Sequence, residues 1–183
     1  QAFVTMFAKA QILQIDKTEK TPVGGLLSYG HLHAHALEMA TDFFVHHGDS
    51  VIFGMLVDLK LAGNRDLYKK VLRLVPDLPL EKTLEHLTID ETRLKEAYKA
   101  ETKPFFRVSV EDKSDNPQFY ILPLGRIGQY YKPSVENATP VVFNLDQIMT
   151  AVGAVRKDID HEVHHNPVSV LNRRLRHLVQ KMT

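Results

Sequence analysis

Apolar residues recur at helical spacing in several segments of this 183-residue chain, and this feature limits its fold most strongly. Leu32, Ala36, Met39 and Phe43 follow one another at intervals of four, three and four. Residues at these intervals share one face of an α-helix, so the pattern predicts an amphipathic helix over 28–47. Comparable apolar patterns predict further helices that start near residues 50, 65, 91, 145 and 167.

Helix start and stop signals lie between these segments. Gly63-Asn64 supplies a stop followed by a new N-cap, and Thr88-Ile89-Asp90-Glu91 resembles a capping box before the next helix. Asn166 is a good N-cap, and Pro167 suits the first helical position because its missing N–H needs no partner there. These signals divide the chain into helices of ordinary length.

Strand patterns appear mainly in the second half of the chain. Residues 105–110 and 118–122 predict two strands joined by turn residues, and 141–143 predicts a third. The start, 3–15, also favours a strand in its first part, although a helix fits nearly as well. We therefore predict an α+β fold, a mainly helical domain with a small antiparallel sheet. It is expected to be one domain over 1–183, with a helical part at about 26–101 and a strand-plus-helix part at about 103–183.

Composition limits the class of protein. The chain has no Cys, which favours a reducing compartment, and no apolar run approaches the roughly 18–20 residues that span a bilayer. We therefore expect a cytoplasmic protein without a membrane partner. A net charge of +1 excludes a strongly basic protein but leaves room for a local basic patch.

The segment His161-Glu162-Val163-His164-His165 fits the H-E-x-x-H pattern of zinc hydrolases. Such a site needs a third protein ligand, yet 166–183 contains no Asp or Glu, and Asn166-Pro167 interrupts the helix. A polar helix end explains these residues better, because His is favourable near the negative end of a helix dipole. A metal-dependent hydrolase is thus the weakest of three functional hypotheses.

A second histidine pattern, His31, His33 and His35, has a spacing of two. On the predicted helix only His31 and His35 share a face, which Glu38 and Asp42 continue. That row suits a metal, but a solvated stripe opposite the apolar one explains it more simply. The neighbouring pair His46-His47 adds little to either interpretation.

Catalytic motifs are weak throughout the sequence. Cys is absent, no Ser lies in a G-x-S-x-G elbow, and no phosphate-binding loop is present. We therefore predict no catalytic residue, no metal and no cofactor, and expect that the protein is not an enzyme.

Charge is distributed unevenly along the chain. The 166–183 segment contains four basic residues and no acid, whereas 77–101 contains seven acids and four basic residues. Arg126 and Lys132 flank Gln129, Tyr130 and Tyr131. Arginine donors beside aromatic and amide groups suit phosphates and base edges, although a solvated helix face explains the charges equally simply.

Two segments carry a resemblance to a known family. In the first part of the chain the segments concerned are FVTMFAKAQIL and the Gly-rich TPVGGLLSYGHL, and in the second part they are FNLDQIMTAVGAVRKD and VLNRRLRHLV. Together they resemble AcaB-like regulators of conjugative plasmids and integrating conjugative elements. The resemblance implies a transcriptional activator of transfer genes that binds DNA through a ribbon-helix-helix dimer. In that arrangement strands from two subunits form a ribbon in the major groove.

The leading hypothesis is therefore a dimeric DNA-binding regulator, with double-stranded DNA, a second copy and RNA polymerase as partners. The ribbon is expected either near the N-terminus or at 141–143. The alternative is an interaction or adaptor module of a mobile-element machinery that does not bind DNA. The residues predicted to contact DNA are Lys9, Gln11, Arg107, Arg126, Lys132, Arg173, Arg174 and Arg176.

Overall fold

The computed structural model describes residues 29–73, 75, 90–103, 106–109, 111–121 and 141–165. These residues form five helices and one antiparallel sheet of two strands, which confirms the mainly helical α+β prediction. The helices are α1 (His31–Ala40), α2 (His47–Leu61), α3 (Arg65–Leu72), α4 (Glu91–Lys99) and α5 (Leu145–His164). The strands are β1 (Gln118–Ile121) and β2 (Val141–Asn144).

Side-chain caps fix three of the helix starts. The Asn64 carboxamide oxygen accepts a hydrogen bond from the Leu67 N–H at 3.2 Å, as the Gly63-Asn64 signal predicted. Asp90 caps α4 through the Thr92 N–H at 2.8 Å. Asn144 and Gln147 form a reciprocal capping box at the start of α5, with both bonds at 2.9 Å. These caps set where each helix begins and so which residues it buries.

Helix α1 is shorter than the sequence predicted. It ends at Ala40, and the following residues Asp42 and Phe43 adopt positive φ values of 52° and 60°, a conformation that no helix continues. Phe43 is consequently 73% exposed. Met39, which lies inside α1, is 41% exposed, so the assignment of both residues to the apolar stripe was wrong. This turn reverses the chain and allows α2 to begin at His47 beside α1.

The core lies where α1, α2, α4 and α5 meet. Helix α2 packs against both α1 and α5, and α1 also packs against α4. Side chains that are at most 2% exposed include Leu37, Phe53, Leu56, Tyr98, Ile148, Val155 and Ile159. None of the helices in the described part of the chain combines the length and apolar character needed to cross a membrane.

The sheet pairs Gln118 with Asn144 at one end and Ile121 with Val141 at the other. The predicted strand over 105–110 is wrong in its described part, because only Arg107 pairs there, through an isolated bridge to Phe119. Strand β2 pairs with β1 of the same chain, so a ribbon-helix-helix arrangement is not confirmed. The alternative ribbon at 3–15 and the predicted helix over 167–183 lie outside the described residues.

Buried tyrosines make the fold sensitive to alkali. Burial raises the pKa of Tyr29, Tyr68 and Tyr98 well above the ordinary value of about 10, and the negative charge of Asp58 raises those of Tyr29 and Tyr98 further. The folded protein then keeps protons that the unfolded chain releases. This contribution to stability is complete below about pH 10 and is lost as the pH rises beyond it.

Replacing Tyr29 by Phe should remove one such contribution. The Tyr29 hydroxyl is buried and has no hydrogen-bond partner among the described residues, so its loss should change the unfolding free energy at pH 7 by less than about 1 kcal/mol. Above pH 10 the variant should lose stability less steeply than wild type, by about 1.4 kcal/mol per pH unit. Urea unfolding at pH 7, 10 and 11 measures both effects. Equal slopes for the two proteins would contradict the prediction.

Candidate functional site

Three imidazole rings gather where α1 and α2 begin. His31 and His35 share one face of α1, as predicted, and their ring centroids lie 5.9 Å apart. The His47 ring, at the start of α2, lies 5.2 Å from that of His31. We call these three residues the histidine face.

A close backbone contact holds the two helices in this arrangement. Gly30 precedes α1 with φ +77°, and its carbonyl oxygen lies only 1.9 Å from the position that a Cβ of Gly54 would occupy. Only glycine at position 54 allows α2 to approach the start of α1 so closely. His31, the next residue after Gly30, is thereby placed beside α2.

Glu38 supports the histidine face from the last part of α1. Its Oε1 lies 2.6 Å from His47 Nδ1, and the residue is only 8% exposed. A carboxylate accepts, so His47 donates from Nδ1–H and keeps its lone pair on Nε2. Glu38 therefore does not belong to a solvated stripe, whereas Asp42 is exposed and forms an ion pair with Arg93 at 2.9 Å.

His35 lies between an acidic and a basic group. Its Nδ1 is 3.2 Å from Glu101 Oε2 and 3.1 Å from Lys103 Nζ. Glu101 can only accept a hydrogen bond and Lys103 can only donate one, so the tautomer of His35 decides which of the two bonds forms at Nδ1. Imidazole is the side chain most often used in general acid–base catalysis, so His35 is a candidate for that role.

Arg107 fixes the segment that carries Glu101. Its guanidinium group donates to the carbonyl oxygens of Lys99 at 2.7 Å, Glu101 at 3.1 Å, and Asp112. Arg107 is 6% exposed and is therefore not available to DNA phosphates, contrary to its prediction as a DNA contact. The charge pattern could not reveal this, because the acceptors are backbone carbonyls.

His33 has a different environment from its two neighbours in the H-x-H-x-H pattern. It is fully buried, with Nε2 2.9 Å from Asp58 Oδ1 and Nδ1 2.8 Å from the Tyr98 hydroxyl. The second oxygen of Asp58 accepts the Gly30 N–H at 2.7 Å. His33 thus points into the protein and contributes no ligand atom to the histidine face.

Metal binding at the histidine face would need more ligands than it offers. His31 and His47 are imidazoles of the type that Zn²⁺ prefers, and the carboxylate behind His47 matches the support that ligating histidines usually have. However, no group of three or more His, Cys, Asp or Glu side chains in the described residues is arranged to hold a metal ion.

The H-E-x-x-H segment lies at the end of α5. The rings of His161 and His165 are 5.9 Å apart, while His164 and His165 approach Asp160 at 3.8 and 4.0 Å. Helix α5 ends at His164, as expected for a polar helix end. This cluster is separate from the histidine face.

The structure brings together residues that the sequence analysis did not combine. No role was predicted for His47, Glu101 or Lys103. Their proximity to His31 and His35 depends on helix packing, and no local sequence motif links them. Of the residues predicted to contact DNA, only Arg107 is described. The others lie outside the described residues: Lys9, Gln11, Arg126, Lys132, Arg173, Arg174 and Arg176.

Comparison with known proteins identifies a different family from the one expected. The family model of the 3-dehydroquinate synthase C-terminal domain matches residues 3–104. A 3-dehydroquinate synthase from Streptococcus pyogenes is 34% identical over 104 residues, covering 52% of this chain and 28% of the relative. One from Picrophilus torridus is 27% identical over 126 residues, covering 67% of this chain and 34% of the relative. No solved structure matches.

The chain therefore spans about a third or less of the length of these relatives. The match includes both N-terminal segments that carried the resemblance to AcaB-like activators, and it overturns that resemblance. Three further expectations were wrong for the same reason. They were a DNA-binding regulator or adaptor, DNA and RNA polymerase as partners, and a protein without enzymatic function. A match over more than half of its residues shows that this chain belongs to the 3-dehydroquinate synthase C-terminal family.

Proposed function

We propose that this chain supplies part of the active site of a 3-dehydroquinate synthase, and that the histidine face forms that part. The observation that carries the proposal is the gathering of His31, His35 and His47 within the residues matched by the family. Each ring is held by a specific partner: the Tyr29 carbonyl, Glu101 and Glu38, respectively. Rings held in this way are preorganised for chemistry.

The chemistry of these groups suits the product that the relatives are named for. 3-Dehydroquinate has ketone, hydroxyl and carboxylate groups, which imidazole and ammonium groups recognise by hydrogen bonding and charge. In the proposed site, His35 exchanges a proton with the reacting molecule, and Glu101 and Lys103 hold its ring in place by hydrogen bonding. Glu38 orients His47 so that Nε2 faces away from the carboxylate.

The rest of the active site is proposed to lie in parts of the enzyme outside the described residues. The prediction of one domain over 1–183 is kept, and the packing of α5 into the same core as α1, α2 and α4 supports it. The cytoplasmic location likewise remains a prediction from the absence of Cys.

Histidine NMR with added 3-dehydroquinate tests the proposal. The chain contains ten His residues, and those outside the histidine face, such as His46 and His161, serve as internal controls. We expect saturable shifts in the ring signals of His31, His35 and His47 and none in the control rings. Shifts spread equally over all histidines, or none at any concentration, would reject the site.

A further inference from the structure

Two polar side chains with no assigned role lie directly behind the histidine face. Asp58 is 5% exposed and His33 is fully buried, although both belong to residue types that normally face water. Buried polar groups persist when every one has a partner, and here the partners come from three different helices. The hydrogen bonds of Asp58 and His33 therefore connect separate helices and do not only stabilise one local turn.

The hydrogen-bond pattern defines the roles of each group. An ionised Asp58 is only an acceptor, so it takes the Gly30 N–H with one oxygen and the His33 Nε2–H with the other. His33 Nδ1 then carries the lone pair and accepts the Tyr98 O–H. A neutral His33 with its proton on Nε2 gives all of these groups a partner.

The same bonds determine where the histidine face lies. Gly30, the residue before α1, and His33, in its first turn, lie on either side of His31, and both are held by Asp58 of α2. His47 is the first residue of that same α2. Asp58 therefore ties His31 to the helix that carries His47.

We propose that Asp58, with His33 and Tyr98, is a positioning network that sets the spacing of the His31 and His47 rings for the reaction. None of the three touches the reacting molecule. The kinetic consequence rests on the proposed function, whereas the effect on ring spacing does not. Groups that orient catalytic or metal-binding histidines in other proteins typically change activity by about 10–100-fold when removed.

The test compares Asp58→Asn with the matched control Asp158→Asn. Asp158 also binds a tyrosine hydroxyl, that of Tyr68 at 2.6 Å, and a residue of α2, Lys60 at 2.8 Å, and neither of these hydrogen bonds involves the histidine face. Both substitutions keep side-chain size and remove one carboxylate. A difference in ring spacing or in kcat between the two variants therefore reports an effect on positioning and not a general loss of packing.

Two kinds of measurement separate the outcomes. In ¹⁵N-histidine NMR, wild-type His33 should have its proton on Nε2, and Asp58→Asn should move it to Nδ1 and weaken the NOE between the His31 and His47 rings. The kcat for 3-dehydroquinate formation should fall about 10-fold or more with little change in KM. Asp158→Asn should change neither the NOE nor kcat.

An unchanged ring NOE and a kcat equal to that of Asp158→Asn would overturn the network proposal. If Asp58→Asn does not fold, Tyr98→Phe takes its place, because it removes only the hydroxyl and keeps the ring packed 6.0 Å from Phe119. If wild type forms no 3-dehydroquinate, the proposed function fails, while the NMR comparison still decides whether Asp58 sets the ring spacing.

Discussion

Replacing Gly54 by Ala is expected to lower the unfolding free energy by about 3 kcal/mol. The new Cβ would lie 1.9 Å from the carbonyl oxygen of Gly30 and 2.8 Å from its carbonyl carbon. Both atoms belong to the backbone, so no side-chain rotation relieves the clash and α1 must move away from α2. That shift would also separate His31 from His47.

Gly153→Ala is the matched control within α5. A Cβ at Gly153 would meet nothing within 4 Å, and a helix-interior glycine is less favourable than Ala by roughly 0.5–1 kcal/mol. This variant should therefore be slightly more stable than wild type. Urea unfolding of the two variants measures the contrast, and similar stabilities would show that the close approach of α1 and α2 is wrong.

Replacing His47 by Ala should reduce the rate of 3-dehydroquinate formation by about 100-fold or more. The substitution removes the imidazole that lies 5.2 Å from the His31 ring and leaves the buried Glu38 without its 2.6 Å partner. Because the His47 side chain is itself 59% exposed, the fold should survive its removal.

His46→Ala is the control for this substitution. His46 is exposed, precedes α2, and makes no side-chain cap bond to that helix. Its loss should change the rate less than twofold, a difference of about 0.4 kcal/mol. Steady-state rates of both variants, with circular dichroism to check folding, make the comparison. Equal rates would remove His47 from the site.

The sequence predicted the helices where local signals are strong. The Asn64 cap and the limits of α5 agree with the structure within one residue. The end of α1 was missed because Asp42 and Phe43 adopt positive φ at a turn that contains no glycine. The error moved Phe43 from the surface into the predicted core.

The candidate site was less predictable because its contacts join distant parts of the chain. His33 is buried because of Asp58 and Tyr98, which lie 25 and 65 positions away. Glu101 meets His35 across 66 positions. Helical spacing correctly placed His31 and His35 together but gave no information about which ring faces a carboxylate.

Charge patterns proved a poor guide to the binding partner. Arg107 was grouped with the other basic residues as a DNA contact, yet it is buried and bonded to backbone carbonyls. A count of charged residues records their number and order but not their burial. The same limitation applied to the histidines, whose partners determine whether they support chemistry or structure.

The most direct test of the proposed function uses a bacterium that lacks its own 3-dehydroquinate synthase gene. The gene that contains this chain is introduced, and 3-dehydroquinate is measured in extracts, with the His47→Ala gene as a matched comparison. We predict that the wild-type gene restores the product and that the His47→Ala gene restores little or none. Absence of 3-dehydroquinate despite folded wild-type protein in the cells would contradict the proposed synthase function.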